Sequence, residues 1–410
     1  MRSNLIAGLD IGTTMTNVLI AEVIGDGPRR PELRVLGVGQ ARTGGVRRDV
    51  VTHIEETTES VRNAVQEAEL MAGVNVDRVW AAISGDHVET LSSMGVVAVQ
   101  REEISRADLD GVHTVARAVA LPPDREFLHA IPQQYTVDHQ SGIKDPLGMS
   151  GTRLEADVYL VTGAAQAAGN LRKAVNRAGY RVQSLVLSPL ATAHAVLTED
   201  EKEVGVALMG IGASTTEICA FHEGRIRHIA VLPLGGDTIT NDLVRGLSIP
   251  FAEAQRAKER HGVAFAQLVD PQETVELPGP GPGQSRQVAR ELIAHIVEQR
   301  LDEIYGLVHR EFADAGCLES LGAGLVLTGG GAALEGSLEM AQQCMGMPAR
   351  IGVPGEGLSG LAESVARPRF STVTGLCLYG SDRFHETGQG VSTLSSGLMT
   401  RVGAWIREFF

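Results

Sequence analysis

Two short stretches of the chain carry the residue types that phosphate binding needs. Asp10-Ile11-Gly12-Thr13-Thr14 sets an acid, a glycine and two hydroxyls between apolar runs at residues 5–9 and 17–23. Gly210-Ile211-Gly212-Ala213-Ser214-Thr215 lies in the same way between runs at 204–208 and 218–221. Residues 9–16 overlay residues 209–216 at an offset of 200, so the second stretch repeats the first. Backbone N–H groups and hydroxyls in such turns donate hydrogen bonds to phosphate oxygens. Either turn alone also serves as a plain hairpin loop. Two of them, one per half, point to two similar domains with donors facing each other across a cleft. A third stretch, Gly329-Gly330-Gly331, follows the apolar run 325–328 and precedes a helix expected from about Leu334. Consecutive glycines let backbone approach a flat ligand closely and leave a helix N-terminus open to an anion.

The elements that must position these loops follow from apolar periodicity. Residues 53–72 repeat near 3.6 and read as a helix ending at Gly73, and 79–83 read as a buried strand. Residues 84–162 differ in texture, with strands expected at 96–100, 127–131, 134–137 and 154–161. A helix over 105–120 would start from a capping box, Ser105 with Asp108. The stretch reads as an inserted α+β subdomain. Leu277-Pro278-Gly279-Pro280-Gly281-Pro282-Gly283 demands an exposed turn, and a long helix over 286–312 carries Arg286, Arg290, Arg300 and Arg310. Residues 381–396 are rich in Gly, Ser and Thr and read as a flexible linker. Beyond it, Leu398, Met399, Val402, Trp405, Ile406, Phe409 and Phe410 fall on one face of a helix over 397–410. Such a face either lies in a lipid surface or docks on the chain's own domain, and the long linker before it favours the lipid surface.

Composition narrows the function further. The chain has 410 residues, 43% of them hydrophobic and 4% aromatic, with 36 basic against 50 acidic residues and a formal charge of -14. That is globular material sufficient for two domains. Low aromatic content and the lack of a basic block argue against nucleic acid as a partner. Positive charge is almost all arginine: Lys144, Lys173, Lys202 and Lys258 are the four lysines. Cys219, Cys317, Cys344 and Cys377 have no metal-ligand spacing and read as reduced thiols. The N-terminal apolar run is too short for a signal peptide, and no run of ~18 apolar residues is long enough to span a membrane.

Duplicated Gly/Thr loops with a late glycine triplet resemble the actin, sugar-kinase and heat-shock-chaperone ATPase superfamily. The middle of the chain resembles one branch of it, the FtsA family of bacterial cell-division proteins. The resemblance rests on His129-Ala130-Ile131-Pro132-Gln133-Gln134-Tyr135, on residues 142–151 (GIKDPLGMSG), on Leu154-Glu155 and on residues 197–203 (LTEDEKE). It covers essentially the whole chain. It implies an α/β fold of duplicated, actin-like, ribonuclease-H-type domains around a nucleotide cleft, with an FtsA-type α+β insertion. Residues 1–83 and 163–203 would form the first domain, 84–162 the insertion, 204–380 the second domain (its outer part about 236–312), 381–396 the linker and 397–410 the membrane helix.

Carried over residue by residue, the resemblance assigns Asp10, Gly12, Thr13 and Thr14 to one phosphate loop and Gly212, Ala213, Ser214 and Thr215 to the other. Gly329, Gly330 and Gly331 would approach the nucleoside, with Lys258 and Gln255 near the ribose. The ligand would be ATP or ADP with Mg²⁺, and Asp10 would hold the metal through water. The implied role is an actin-like filament at the cytoplasmic face of the inner membrane, at the division septum. There it would tether FtsZ and recruit later division proteins through the insertion. The FtsZ C-terminal peptide would dock on the outer second domain, with Arg300, Glu303 and Tyr305 as candidate contacts.

The chain departs from the family pattern at Met15, where a lysine is common, at Gly210, where the second loop usually starts with Asp, and at Gln255, where a glutamate is usual. These changes remove a cation and a carboxylate from the cleft, so nucleotide binding is expected and hydrolysis is expected to be weak or absent. Two other readings are a phosphotransferase such as a sugar kinase and a pilus-assembly scaffold. The first lacks a convincing general base, and neither accounts for the amphipathic C-terminus.

Overall fold

The structure, a computed structural model, describes residues 4–24, 32–279 and 284–387. The first half opens with β1 (Leu5–Ile11), β2 (Met15–Ile24) and β3 (Glu32–Arg42), then a miniature hairpin, β4 (Val46–Arg47) and β5 (Val50–Val51), helix α1 (Ile54–Ala72) and β6 (Arg78–Ile83). The insertion is β7 (Glu89–Ala98), α2 (Arg106–Arg117), β8 (Arg125–Val137), β9 (Gln140–Ile143) and β10 (Arg153–Ala164). The chain returns through α3 (Ala165–Ala178), β11 (Arg181–Leu187), α4 (Ser188–Val196) and α5 (Glu199–Val204). The second half follows: β12 (Val206–Ile211), β13 (Thr216–His222), β14 (Arg225–Leu232), α6 (Gly236–Leu247), α7 (Phe251–His261), β15 (Thr274–Pro278), β16 (Ser285–Ala289) and α8 (Arg290–Asp314). It closes with β17 (Leu325–Thr328), α9 (Ser337–Met345), β18 (Ala349–Ile351), β19 (Leu358–Gly360) and α10 (Ser371–Thr387).

The repeat in the sequence is a repeat in space. β1 and β2 pair antiparallel with Asp10 opposite Asn17 and Ile11 opposite Thr16. β12 and β13 pair with Gly210 opposite Glu217 and Ile211 opposite Thr216. The two turns close identically, Gly12 N–H on Met15 C=O at 3.1 Å and Gly212 N–H on Thr215 C=O at 2.9 Å. Each hairpin sits inside a larger sheet, ordered β11-β6-β1-β2-β3-β19 in the first half and β14-β13-β12-β17-β18 in the second. Helix α1 is delimited as its sequence dictates: His53 caps it by accepting from Glu56 N–H, and Gly73 terminates it at φ 65°.

The insertion has its own sheet, β7-β10-β8-β9, and its own core around Val112, Leu154 and Leu160. The Ser105–Asp108 capping box is formed, and α2 ends at Arg117 rather than 120. β7 begins at Glu89, earlier than the run 96–100 suggests. The strands expected at 127–131 and 134–137 are one strand, β8, because a register shift opposite Asp157 and Val158 absorbs the Pro132-Gln133 step as a bulge. The bulge is used: Gln133 Oε1 accepts from Ile226 N–H at 2.9 Å, and Arg225 donates to Gln134 Oε1 at 2.8 Å. Those bonds tie the insertion to β14 of the second half.

Three further expectations are corrected. The long helix starts at Arg290, not 286, because Arg286 belongs to β16 and donates to Leu247 C=O. The glycine triplet does not run directly into a helix at Leu334; Gly330–Ala333 form a 3₁₀ turn and α9 starts at Ser337. The last part of 204–380 does not belong to the second domain. β19 pairs with β3, and Leu376 and Cys377 of α10 share a core with Leu190 and Ala191 of α4. α10 also continues to Thr387, through the start of the expected linker. The rest of that linker and the expected helix over 397–410 lie outside the described residues.

α10 is clamped between β1 and α4 at two glycines. A Cβ on Gly8 would sit 2.6 Å from Val373 C=O, and one on Gly375 would sit 1.7 Å from Ala191 C=O. Gly375→Val must therefore push backbone apart, and we expect a loss of about 3 kcal/mol. Thermal unfolding of the variant beside the parent tests this: a midpoint lower by roughly 5 °C or more is expected.

Candidate functional site

The β1–β2 and β12–β13 turns face each other across one cavity of about 410 Å³. Asp10, Gly12, Thr13, Thr14, Gly212, Ala213, Thr215, Gln255, Lys258, Gly329, Gly330 and Gly331 all line it. Ser214 does not line it, but its hydroxyl lies 2.5 Å from that of Thr13, so the two turns touch each other directly. Gly329 (φ 81°) and Gly331 reach the cavity by lying against the backbone and side chain of Ile211, where a Cβ would come within 2.6 Å. A larger residue at either position would displace the second turn itself.

The other wall is the start of α6 and one face of α7. Lys258, 8% exposed, donates to Gly236 C=O and to Thr240 Oγ1, both at 2.8 Å. Thr240 Oγ1 in turn donates to Gln255 Oε1 at 2.7 Å. Burial lowers the pKa of Lys258, opposed by the nearby carboxylates of Asp237 and Glu259. The lysine is thus a fixed cation at the start of α6, whose first two N–H groups, those of Gly236 and Asp237, donate to Gly212 and Ala213 C=O of the second turn.

The electrostatics of the cavity are dominated by acids, several of which sequence reasoning overlooked. Burial and the neighbouring Asp49 raise Asp10 to about 7, against the pull of its hydrogen bond with Asn17. Burial, then Asp49, raise Glu217 to about 8. Burial also raises Asp49 and Asp237. The carboxylate missing at Gly210 is therefore present on the opposing strand: where the first hairpin pairs Asp10 with Asn17, the second pairs Gly210 with Glu217. The expectation that the cleft has lost an acid is corrected. A register comparison across the two hairpins could have found Glu217, and the Gly235-Gly236-Asp237 run before α6 was a signal for Asp237. Asp49 had none, because a two-residue hairpin has no periodicity. Arg369, just before α10, is a second basic group lining the cavity.

Among the described residues, no three His, Cys, Asp or Glu side chains converge to hold a metal by themselves. Mg²⁺ takes one or two hard carboxylate oxygens and fills the rest of its shell with water or a ligand's oxygens, and the acids that line this cavity fit that demand.

The candidate partner residues separate. Arg300 pairs with Asp242 at 2.5 Å and with Glu303, which is exposed. Tyr305 is 0% exposed in the second core, its hydroxyl donating to Ser337 C=O at 3.3 Å. It is a packing residue and presents nothing to a partner.

The fold is that of the actin-like ATPases. It superposes on a PilM–PilN type IV pilus biogenesis complex with a TM-score of 0.63, at 18% identity over 92% of this chain and 98% of that one. It also superposes on MreB5 of Spiroplasma citri bound to ADP, with a TM-score of 0.56 at 13% identity over 94% and 99%. Sequence comparison gives the family. The model for the cell division protein FtsA matches residues 207–375, and that for the SHS2 domain inserted in FtsA matches 85–162. The chain is 42% identical to the FtsA of Pseudomonas aeruginosa over 96% of its length and 92% of the relative's. With the FtsA of Escherichia coli K12 it shares 35% over 98% and 96%. The chain belongs to the FtsA family of cell division proteins.

The raised acids make a pH prediction. In the unfolded chain Asp10 and Glu217 lose their protons near 3.8 and 4.5, whereas the folded protein keeps them to about 7 and about 8. The folded state binds more protons across that window, so stability falls as pH rises through it. Without nucleotide or Mg²⁺, the unfolding midpoint should drop by several degrees between pH 5.5 and 8.5. Glu217→Gln should flatten the slope, and an equal slope in that variant would refute the assignment.

Proposed function

We propose that the cleft binds ATP with Mg²⁺ and that the nucleotide-bound chain polymerises and tethers the FtsZ ring to the inner membrane at the division site. The observation that carries the nucleotide reading is the pair of equivalent turns, each closed by its own glycine, facing one cavity together with the glycine triplet. Thr13, Thr14 and Thr215 offer hydroxyls to phosphate oxygens, and backbone N–H groups of both turns complete the cradle. Lys258 and Arg369 supply positive charge. Mg²⁺ bound with the nucleotide neutralises phosphate charge, and Asp10 would hold it through water.

Turnover should be slow for a reason the geometry refines. Glu217 is held protonated near neutral pH by burial and by Asp49 and Asp10, so it is a poor acceptor for a proton from water. Met15 contributes no charge. Losing one electrostatic group commonly costs ~10²–10³ in rate, whereas backbone donors keep their binding energy. We expect MgATP to bind with turnover far below the ~10 s⁻¹ of a typical enzyme. Asp10→Ala should weaken MgATP by about tenfold, ~1.4 kcal/mol, in titration calorimetry, and more than Glu217→Ala does. Rapid hydrolysis abolished by Asp10→Ala would instead favour the phosphotransferase reading.

Membrane attachment rests on the sequence of residues 397–410. Its seven apolar side chains would bind a bilayer weakly one tail at a time, and a filament would multiply that attachment. The full chain should co-sediment with anionic liposomes, and a chain ending at Ser396 or carrying Trp405→Glu should not. Recruitment of later division proteins is assigned to the insertion. The FtsZ C-terminal peptide is assigned to the outer second domain. Arg300 would have to exchange Asp242 and Glu303 for a peptide carboxylate, a bidentate exchange that its planar fork permits.

A further inference from the structure

The miniature hairpin β4–β5 does something that a phosphate cradle does not require. Its two-residue turn is Arg48-Asp49, at φ 47° and 60°. Both residues are left-handed, a conformation that such turns usually give to Gly, Asn or Asp and that costs Arg48 free energy. The turn drives the Asp49 side chain into the cleft. There Oδ1 accepts from Thr13 Oγ1 at 2.9 Å, and Oδ2 accepts from Thr215 Oγ1. The Asp49 N–H donates to Thr13 Oγ1 at 3.3 Å. One carboxylate therefore spans both turns, holding a hydroxyl from each side of the repeat.

Those hydroxyls are the donors that a phosphate between the turns would use. A carboxylate and a phosphoryl group offer the same chemistry to them, paired anionic oxygens that accept hydrogen bonds. They cannot hold the same donors at once, and two anions side by side in a cleft that already contains Asp10 and Glu217 repel each other. The hairpin is built so that its tip can yield. Its base is fastened, with Thr52 and His53 N–H groups both on Gly45 C=O at 2.7 and 2.9 Å. The tip is held by the two threonines and by an exposed Arg48–Asp86 pair at 3.9 Å.

We infer that Asp49 is a built-in competitor for the terminal phosphate of a bound nucleotide, and that it sets how well the cleft tells a nucleoside triphosphate from a diphosphate. The inference rests on the reading of the cleft as a nucleotide site. A triphosphate must evict Asp49 to reach Thr13 and Thr215 together; a diphosphate is one phosphoryl group shorter and leaves the bridge in place. Asp49 is on this account a specificity residue. The contrary role, a carboxylate that helps hold Mg²⁺ on the triphosphate, predicts the opposite sign when it is removed.

The test is calorimetric titration of the full chain with the non-hydrolysable triphosphate AMPPNP and with ADP, each with Mg²⁺, for the parent, Asp49→Gly and Asp49→Asn. Asp49→Gly should raise AMPPNP affinity about tenfold, ~1.4 kcal/mol, and change ADP affinity less than twofold. Asp49→Asn keeps the shape and removes the charge, so it should raise AMPPNP affinity by a smaller factor; it carries the test if the glycine variant does not fold. A fall in AMPPNP affinity, or an equal change for both nucleotides, overturns the inference. A parent chain that binds neither nucleotide overturns the nucleotide reading beneath it.

Discussion

Five carboxyl groups, those of Asp10, Asp49, Glu217, Asp237 and Glu259, line one cleft in which Lys258 and Arg369 are the basic lining residues. Two unit charges 4 Å apart near a protein surface interact with about 4 kcal/mol, so carboxylates gathered in one cleft destabilise one another when ionised. The cleft meets this crowding in part with protons, since burial first and Asp49 second raise Asp10 and Glu217 to about 7 and about 8. It also meets it with hydroxyls, which is why Asp49 takes Thr13 and Thr215. A divalent cation and a nucleotide offer a third way. Binding of the proposed pair would exchange bound protons for a metal and so couple the state of the cleft to its ligand through charge.

The two hairpins are equivalent in backbone and unlike in side chain. Asp10 stands on the first strand of its hairpin and Glu217 on the second strand of its own, at paired positions. Both acids face the same cavity and both are raised by burial and then by Asp49; the amide of Asn17 favours the anion of Asp10, and the hydroxyls of Ser84 and Ser188 favour that of Glu217, which also feels Asp10. The duplicated fold thus presents two equivalent turns with unlike acids, Asp10 raised to about 7 and Glu217 to about 8.

Much of this was legible in the chain itself. Apolar runs around Gly and Thr turns announce the hairpins, because a two-residue period and a glycine at the turn are local properties. Helix α1 is bounded by His53 and Gly73 for equally local reasons. What escaped was set by distant partners. Pro132-Gln133 looks like a break between strands until the pairing with β10 turns it into a bulge aimed at Ile226. α10 reads as the end of the second half, yet Gly8 and Gly375 admit it against β1 and α4 of the first. Tyr305 looks like an exposed aromatic beside Arg300, but helical phase places it inward with Ile304 and Val308. Asp49 lay in a stretch too short to have a pattern.

The central claim is that two repeated turns and a glycine triplet grip one nucleotide from both halves at once. Amide hydrogen exchange of the full chain, with and without MgATP, tests it directly. Exchange should slow together at residues 12–14, 212–215 and 329–331, three loops that line one cleft from both halves. Protection confined to one of the two halves, or unchanged exchange at saturating MgATP, would contradict the account.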